Sequence, residues 1–240
     1  MPASDMAASP RKPFQAARFD RANGNDDIHE QIYLRILEHR LPPGTKLGED
    51  RLASIFGVSR ARIREVLARL AHEQAVDLYP QRGAFVAKPS KQQAMDVFEA
   101  RRVIEPAVLG SLIERLTPEK VARLRQHEAL EADARRRDDR RAVVRLSGEF
   151  HVLLAELAGN TSLIRTMREL STLTCLIISL YDAPTSDSCL ADEHRQITDA
   201  VARRDLPRAG KLMLQHLDHI EKSLKLDLNA AEVDLEAIFG

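Results

Sequence analysis

Apolar and polar positions divide the chain into an unpatterned start, a short mixed segment and a long helical remainder. Ile28, Ile32, Ile36 and Leu37 recur at helical spacing and stop at "LPPGTKL", where Pro42, Pro43 and Gly44 forbid continuation. A short second helix is expected over Glu49–Phe56. Gly57 suits a left-handed position just past its end, and Ser59 is a good N-cap for a third helix. On that helix Ile63, Val66, Leu67 and Leu70 form an i, i+3, i+4, i+7 stripe. "AVDLYPQRGAFVAK" then offers two strands, near Val76–Tyr79 and Ala84–Ala87, around a turn in which Gly83 can take positive φ. Helix, helix, turn, helix, β-hairpin is the order of a winged helix-turn-helix.

Beyond this unit "KPSKQQ" reads as a linker, and every later segment has helical period. Helices are expected at about 91–115, 118–137, 140–158, 161–182, 189–204 and 206–226. Thr117-Pro118 is an N-cap followed by an N1 proline, Gly159 ends a helix, "DAPTSD" breaks one, and Asp205 caps the last. The fold class is therefore mainly α, with an N-terminal winged helix-turn-helix carrying a small β-hairpin, then an all-α bundle of six helices. The expected divisions are a mobile arm at 1–25, the winged helix-turn-helix unit at 26–87, a linker at 88–92, the helical domain at 93–227 and a tail at 228–240.

Length and composition permit this reading: 240 residues, 44% of them hydrophobic, can bury one large core or two modest ones. No apolar run approaches the roughly 18 residues of a membrane span, and the N-terminus lacks a signal-peptide core, so a cytoplasmic location and no membrane partner are expected. Cys175 and Cys189 are too few for a disulfide framework and wrongly spaced for a CxxC metal site; they read as ordinary thiols. Lys+Arg and Asp+Glu both total 36, which argues against a chain that coats nucleic acid wholesale. Residues 1–90 hold 14 basic and 11 acidic side chains, so any basic surface is local.

The sharpest local feature is "GVSRARIREVLARL", with Arg60, Arg62, Arg64 and Arg69 on one helix. At about 100° per residue Arg60 and Arg64 lie about 40° apart, on a face beside the apolar stripe. Solvation of a buried stripe would explain such arginines on an isolated helix. As the third helix of a helix-turn-helix, however, this one is placed to enter the major groove, where arginine can bond guanine N7 and O6 together. Arg69 reads as structural or solvated. The stretch "LPPGTKLGEDRLASIFGVSRARIREVLARLAHEQAVDLYPQRGAFV" resembles the winged-helix domain of the GntR family of bacterial transcription regulators. The resemblance implies DNA contacts at Arg51, Ser59, Arg60 and Arg64, and at Gly83 on the wing tip, with Arg62 at most a phosphate contact.

In the helical half, His151, His194 and His216 each fall on the inward stripe of a different helix. One such histidine is ordinarily a hydrogen-bonded core residue, whereas three converging imidazoles could surround Zn²⁺ or a similar divalent ion. "DVFEARRVIEP" resembles the opening helix of the FadR-type effector domain, FCD, and six helices resemble its shorter, vanillate-regulator-like subgroup. That domain's pattern implies metal ligands at "FH", "DEHRQI" and "LQHL", which are His151, His194 and His216. It also puts an acid one turn before the first histidine, where this chain has Ser147. A neutral hydroxyl coordinates weakly, so the expectation is lower metal affinity, a water or effector oxygen filling the vacancy, or a site that has abandoned metal, with three histidines and a water bonded to Ser147 as the first choice.

Arg101 is the pattern's inward arginine, suited to a carboxylate effector; an i, i+4 pair with Glu105 is the structural alternative. The resulting expectation is a ligand-responsive regulator, a repressor by family habit, binding a palindromic operator as a homodimer and sensing a small carboxylic acid. No catalytic residue is assigned. A metal-dependent hydrolase or lyase using the three histidines, with Glu193 or Asp192 as base, is the alternative from another class. A sequence-indifferent architectural DNA protein is a third, disfavoured by the balanced charge.

Overall fold

The computed structural model describes residues 24–181 and 192–226. Most of the expected arm, the breaker "DAPTSD", Cys189 and the tail at 228–240 lie outside the described residues. The N-terminal unit runs α1 (Asn25–Leu37), β1 (Lys46–Leu47), α2 (Glu49–Phe56), α3 (Arg60–His72), β2 (Val76–Tyr79) and β3 (Gly83–Val86). Its ends follow local chemistry. Gly57 closes α2 at φ 66°, and the Ser59 hydroxyl accepts from the Arg62 amide to start α3 at the next residue. Gly83 sits at φ 93° opposite Tyr79, one position earlier than the strand expected at Ala84.

The sheet has three strands, not two. Lys46–Leu47 pairs antiparallel with β3, giving the order β1-β3-β2. Two residues are too short for alternation to register in sequence, yet Leu47 is 3% exposed and closes the head's core. That core joins Ile28, Ile32 and Ile36 of α1 to the stripe of α3 and to Val76 and Val86 of the sheet.

Among the described residues six helices follow: α4 (Lys91–Glu114), α5 (Pro118–Arg136), α6 (Arg140–Ala158), α7 (Thr161–Tyr181), α8 (Glu193–Ala202) and α9 (Leu206–Ser223). Ser90 and Gln93 form a capping box on α4, while Thr117, Asp139 and Asp205 cap α5, α6 and α9. The fold is the mainly helical one expected, and among the described residues no helix is long and apolar enough to cross a membrane. The main core gathers Leu109, Leu112, Leu124, Phe150, Met167 and Leu217 from α4, α5, α6, α7 and α9.

Head and bundle are in direct contact. Leu176 of α7, fully buried, packs into the head's own core. Around it Tyr33 donates to Thr172 Oγ1 at 2.7 Å, because that hydroxyl already donates to the Arg168 carbonyl. His39 Nε2 donates to the Cys175 carbonyl at 2.9 Å, and Arg145 pairs with Glu38 at 3.2 Å.

Candidate DNA interface and metal centre

The outer face of α3 presents Arg60 and Arg64 with side chains 60% and 64% exposed, so both can reach a groove. Neither dangles. Arg64 donates to Glu49 at 3.1 Å and Arg60 to Asp50 at 3.1 Å, both acids in the first turn of α2. Arg51 is exposed two residues beyond Glu49, and Gly83 is exposed at the wing tip with open space around its α-carbon. Ser59 is spent on the α3 cap. The other two arginines are anchored inside the head: Arg62 Nε donates to Asn25, and Arg69 pairs with Asp26 and Glu73.

Sequence reasoning passed over Arg82. Its guanidinium lies 5.4 Å from the Tyr79 ring centre and 5.8 Å from that of Phe85, a stacked cation beside Gly83. The signal available was the "YPQRGAF" spacing, which brackets the arginine with aromatics on paired strands.

In the bundle, α6, α8 and α9 bring His151, His194 and His216 together, each about 2% exposed or less. His216 Nε2 lies 3.2 Å from His151 Nε2 and 3.3 Å from His194 Nε2. All three nitrogens fall within 4.8 Å of one another. Each ring turns its other nitrogen onto a carboxylate: His151 Nδ1 to Glu105 at 2.6 Å, His194 Nδ1 to Glu131 at 2.9 Å, and His216 Nδ1 to Glu193 at 2.7 Å. The carboxylates fix Nδ1 as the protonated position, so three Nε2 lone pairs face one another. Lone pairs repel unless a cation lies among them. The donor set also fits zinc, because tetrahedral bonds of about 2.0–2.1 Å space neighbouring nitrogens by about 3.3 Å.

Electrostatics keep two of the rings neutral. Burial lowers the His151 pKa to about 3, with Glu105 opposing, and lowers His216 to about 4 against the pull of Glu193. Glu105 would be raised by its burial, but Arg101 and His151 hold it at about 2. Glu131 is likewise held below the usual carboxylate range against its burial by His194 and His127, and Phe150 stacks on His194 at 4.1 Å. The supporting acids were missed from sequence, where Glu131 in "LEADARRRDD" looks like one more solvated charge.

Arg101 is 1% exposed and takes the structural arrangement weighed for it: Nε donates to Glu105 at 2.6 Å and Nη1 to Thr174 at 3.0 Å. Its Nη2 is buried without a partner among the described residues. Ser147 stands one turn before His151 on α6, partly buried. The two acids weighed as a base have other settings. Glu193 accepts from both His216 and His219, and Asp192 pairs with Arg195 at the exposed start of α8.

With this geometry in place, comparison with known proteins decides the family. The model of "Bacterial regulatory proteins, gntR family" matches residues 25–86, and that of the FCD domain matches 96–219. The chain belongs to the GntR family. It is a transcription regulator of the GntR/FCD type, and DNA is its partner. Among GntR relatives, the HTH-type transcriptional repressor RspR of Escherichia coli is 29% identical over 209 residues, spanning 85% of this chain and 91% of its own. An uncharacterised HTH-type regulator of Streptomyces ambofaciens is 31% identical over 202 residues, 82% of this chain and 84% of its own. The fold is that of solved GntR structures: a putative regulator from Rhodococcus sp. RHA1 has TM-score 0.71 at 22% identity, over 82% and 95% of the two chains. McbR/YncC of E. coli has TM-score 0.73 at 17% identity, over 85% and 98%.

Proposed function

We propose that the protein is a metal-containing, ligand-responsive repressor, acting without catalysis in the cytoplasm, that binds a palindromic operator as a homodimer. The observation carrying the reading is the convergence of three buried imidazoles backed by three carboxylates. His151, His194 and His216 would hold a divalent ion, zinc or similar, whose chemistry is to attract an anionic oxygen. Ser147 supplies no charge of its own to the ion, which leaves room for the oxygen of a small carboxylic acid. The buried Nη2 of Arg101 is a second point for that carboxylate.

A carboxylate that draws Arg101 toward itself weakens its bond to Thr174 on α7. The same helix carries Thr172 and the Cys175 carbonyl, the two partners of α1, so occupancy can shift how the head is held. At the operator, Arg60 and Arg64 read bases, the Gly83 backbone enters the minor groove, and Arg51 and the Ser59 amide region meet phosphates, with Arg62, tied to Asn25, at most a further phosphate contact. Repression follows the description of the RspR relative. The commitment of Glu193 to two histidines argues against the hydrolase reading, which needs a base with a free carboxylate.

Metal analysis of protein purified without chelator and reloaded with zinc tests the centre. One ion per chain is expected, with His194→Ala losing it while still binding operator DNA. Absence of stoichiometric metal in the parent protein overturns the metal reading.

A further inference from the structure

Between the head and the bundle, where α1 and α3 face α6 and α7, lies a cleft of about 700 Å³. None of the three converging histidines lines it, and its volume is in the range of small-molecule sites, about 300–1,000 Å³. We propose that this cleft binds an organic cation with an apolar body, and that such a ligand fastens the head to the bundle.

The walls supply the apolar part. Tyr33, Leu34 and Leu37 of α1 stand across from Val152 and Leu153 of α6. On the α7 side Ser171, 4% exposed, has a hydroxyl with no hydrogen-bond partner among the described residues. A buried hydroxyl left unbonded is costly, and a ligand against this wall would satisfy it.

The charge selects the sign. Asp26, Glu30, Glu73, Glu149 and Glu156 line the cleft. Against these five acids the lining has two arginines: Arg69 is held by Asp26 and Glu73, and Arg168 by Glu156 at 2.7 Å. Next to the cleft, Arg145 pairs with Glu149 at 2.8 Å but also with Glu38, and Arg123 lies 3.9 Å from Glu156, while the lining His29 shares Glu73 with Arg69. The five acids still outnumber these four arginines, one of which is divided with Glu38. A low-dielectric cleft with surplus carboxylate concentrates cations and repels anions. Cys175 adds no charge, since burial pushes its thiol up to about 12. A ligand touching helices of both domains binds best when the head is docked, and therefore favours that arrangement.

Tetraphenylphosphonium and tetraphenylborate, alike in shape and opposite in charge, test the proposal by titration calorimetry on the full chain, with and without EDTA. The phosphonium is expected to bind saturably at one site per chain, at least tenfold more tightly than the borate, and EDTA is expected to leave its binding unchanged. Insensitivity to EDTA separates this site from the histidine centre, so either reading can fail without the other. Glu30→Gln with Glu149→Gln should weaken phosphonium binding at least threefold, and Val152→Trp should abolish it by filling the cleft. Melting curves report whether each variant is folded; if Val152→Trp is not, the charge variants decide. Absence of saturable phosphonium binding, equal affinity for the borate, or full binding by folded Val152→Trp protein overturns the proposal.

Discussion

Arg101, Glu105 and His151 form a buried hydrogen-bonded chain of three charged or polar groups. His151 and His216 sit at about 3 and about 4, below the ordinary 6.5, and Glu105 at about 2, below 4.5. In each case the unfolded chain takes up its proton at higher pH than the folded one. Stability is therefore fullest above about pH 6.5 and is lost as acidification passes from 6.5 toward about 4 for His216 and about 3 for His151, with Glu105 adding a loss between 4.5 and 2. The urea midpoint of metal-free protein should be lower at pH 5 than at pH 7.5. Equal midpoints would mean that the imidazoles are not buried in neutral form.

What could be read at this scale depended on periodicity. His151, His194 and His216 stand out because each interrupts an apolar stripe, so their inward direction is visible in the sequence. Glu105 and Glu131 sit in equally charged surroundings, and only tertiary contacts distinguish a carboxylate under an imidazole from one in water. Arg101 shows the limit from the other side. Its spacing to Glu105 announced the ion pair, while the unpartnered Nη2 depends on what α7 places beside it.

At the scale of elements, α2 has a role that its sequence does not advertise. Its first turn holds the two exposed arginines of α3 by Glu49 and Asp50, fixing their direction while opposing phosphate at the same place. Exposed pairs of this kind are worth about 0.2–1 kcal/mol. Glu49→Gln should therefore raise affinity for random duplex by up to about fivefold at low salt and lower the preference for operator. Fluorescence anisotropy against both duplexes measures the ratio. A uniform loss of affinity would instead give Glu49 a purely orienting role.

The contact of α6 with α7 is equally specific. A β-carbon at Gly148 would lie 2.9 Å from Cys175 Sγ, so a larger residue there would force the thiol to shift. Gly148→Ala should cost about 1–3 kcal/mol in denaturant unfolding, and Cys175→Ala in the same chain should recover part of it. Neither the close approach nor the third strand at Lys46–Leu47 was legible. A glycine inside a helix names no partner, and two residues make no pattern. Helix ends, by contrast, were readable wherever a side chain caps them, as at Ser59, Thr117 and Asp205.

For the molecule as a whole, order along the chain gave the two units, and their mutual placement came from residues with no motif at all. Leu176 enters the head's core from α7, flanked by the Tyr33 to Thr172 and His39 to Cys175 bonds. Leu176→Ala should reduce stability by about 2–5 kcal/mol and make the head melt before the bundle, seen as two steps in calorimetry where the parent shows one. A single unchanged transition would mean that the two parts are independent of this contact.

Leu176 also bears on how such proteins can be recombined. A head cut at the linker and joined to a foreign effector domain leaves behind a side chain that its own interior was built around. The graft inherits a hole unless the new host offers a residue of matching shape at the same point on its own helix. The unit of inheritance is therefore the head together with one leucine of the other domain, and exchanges that ignore it start from a damaged core.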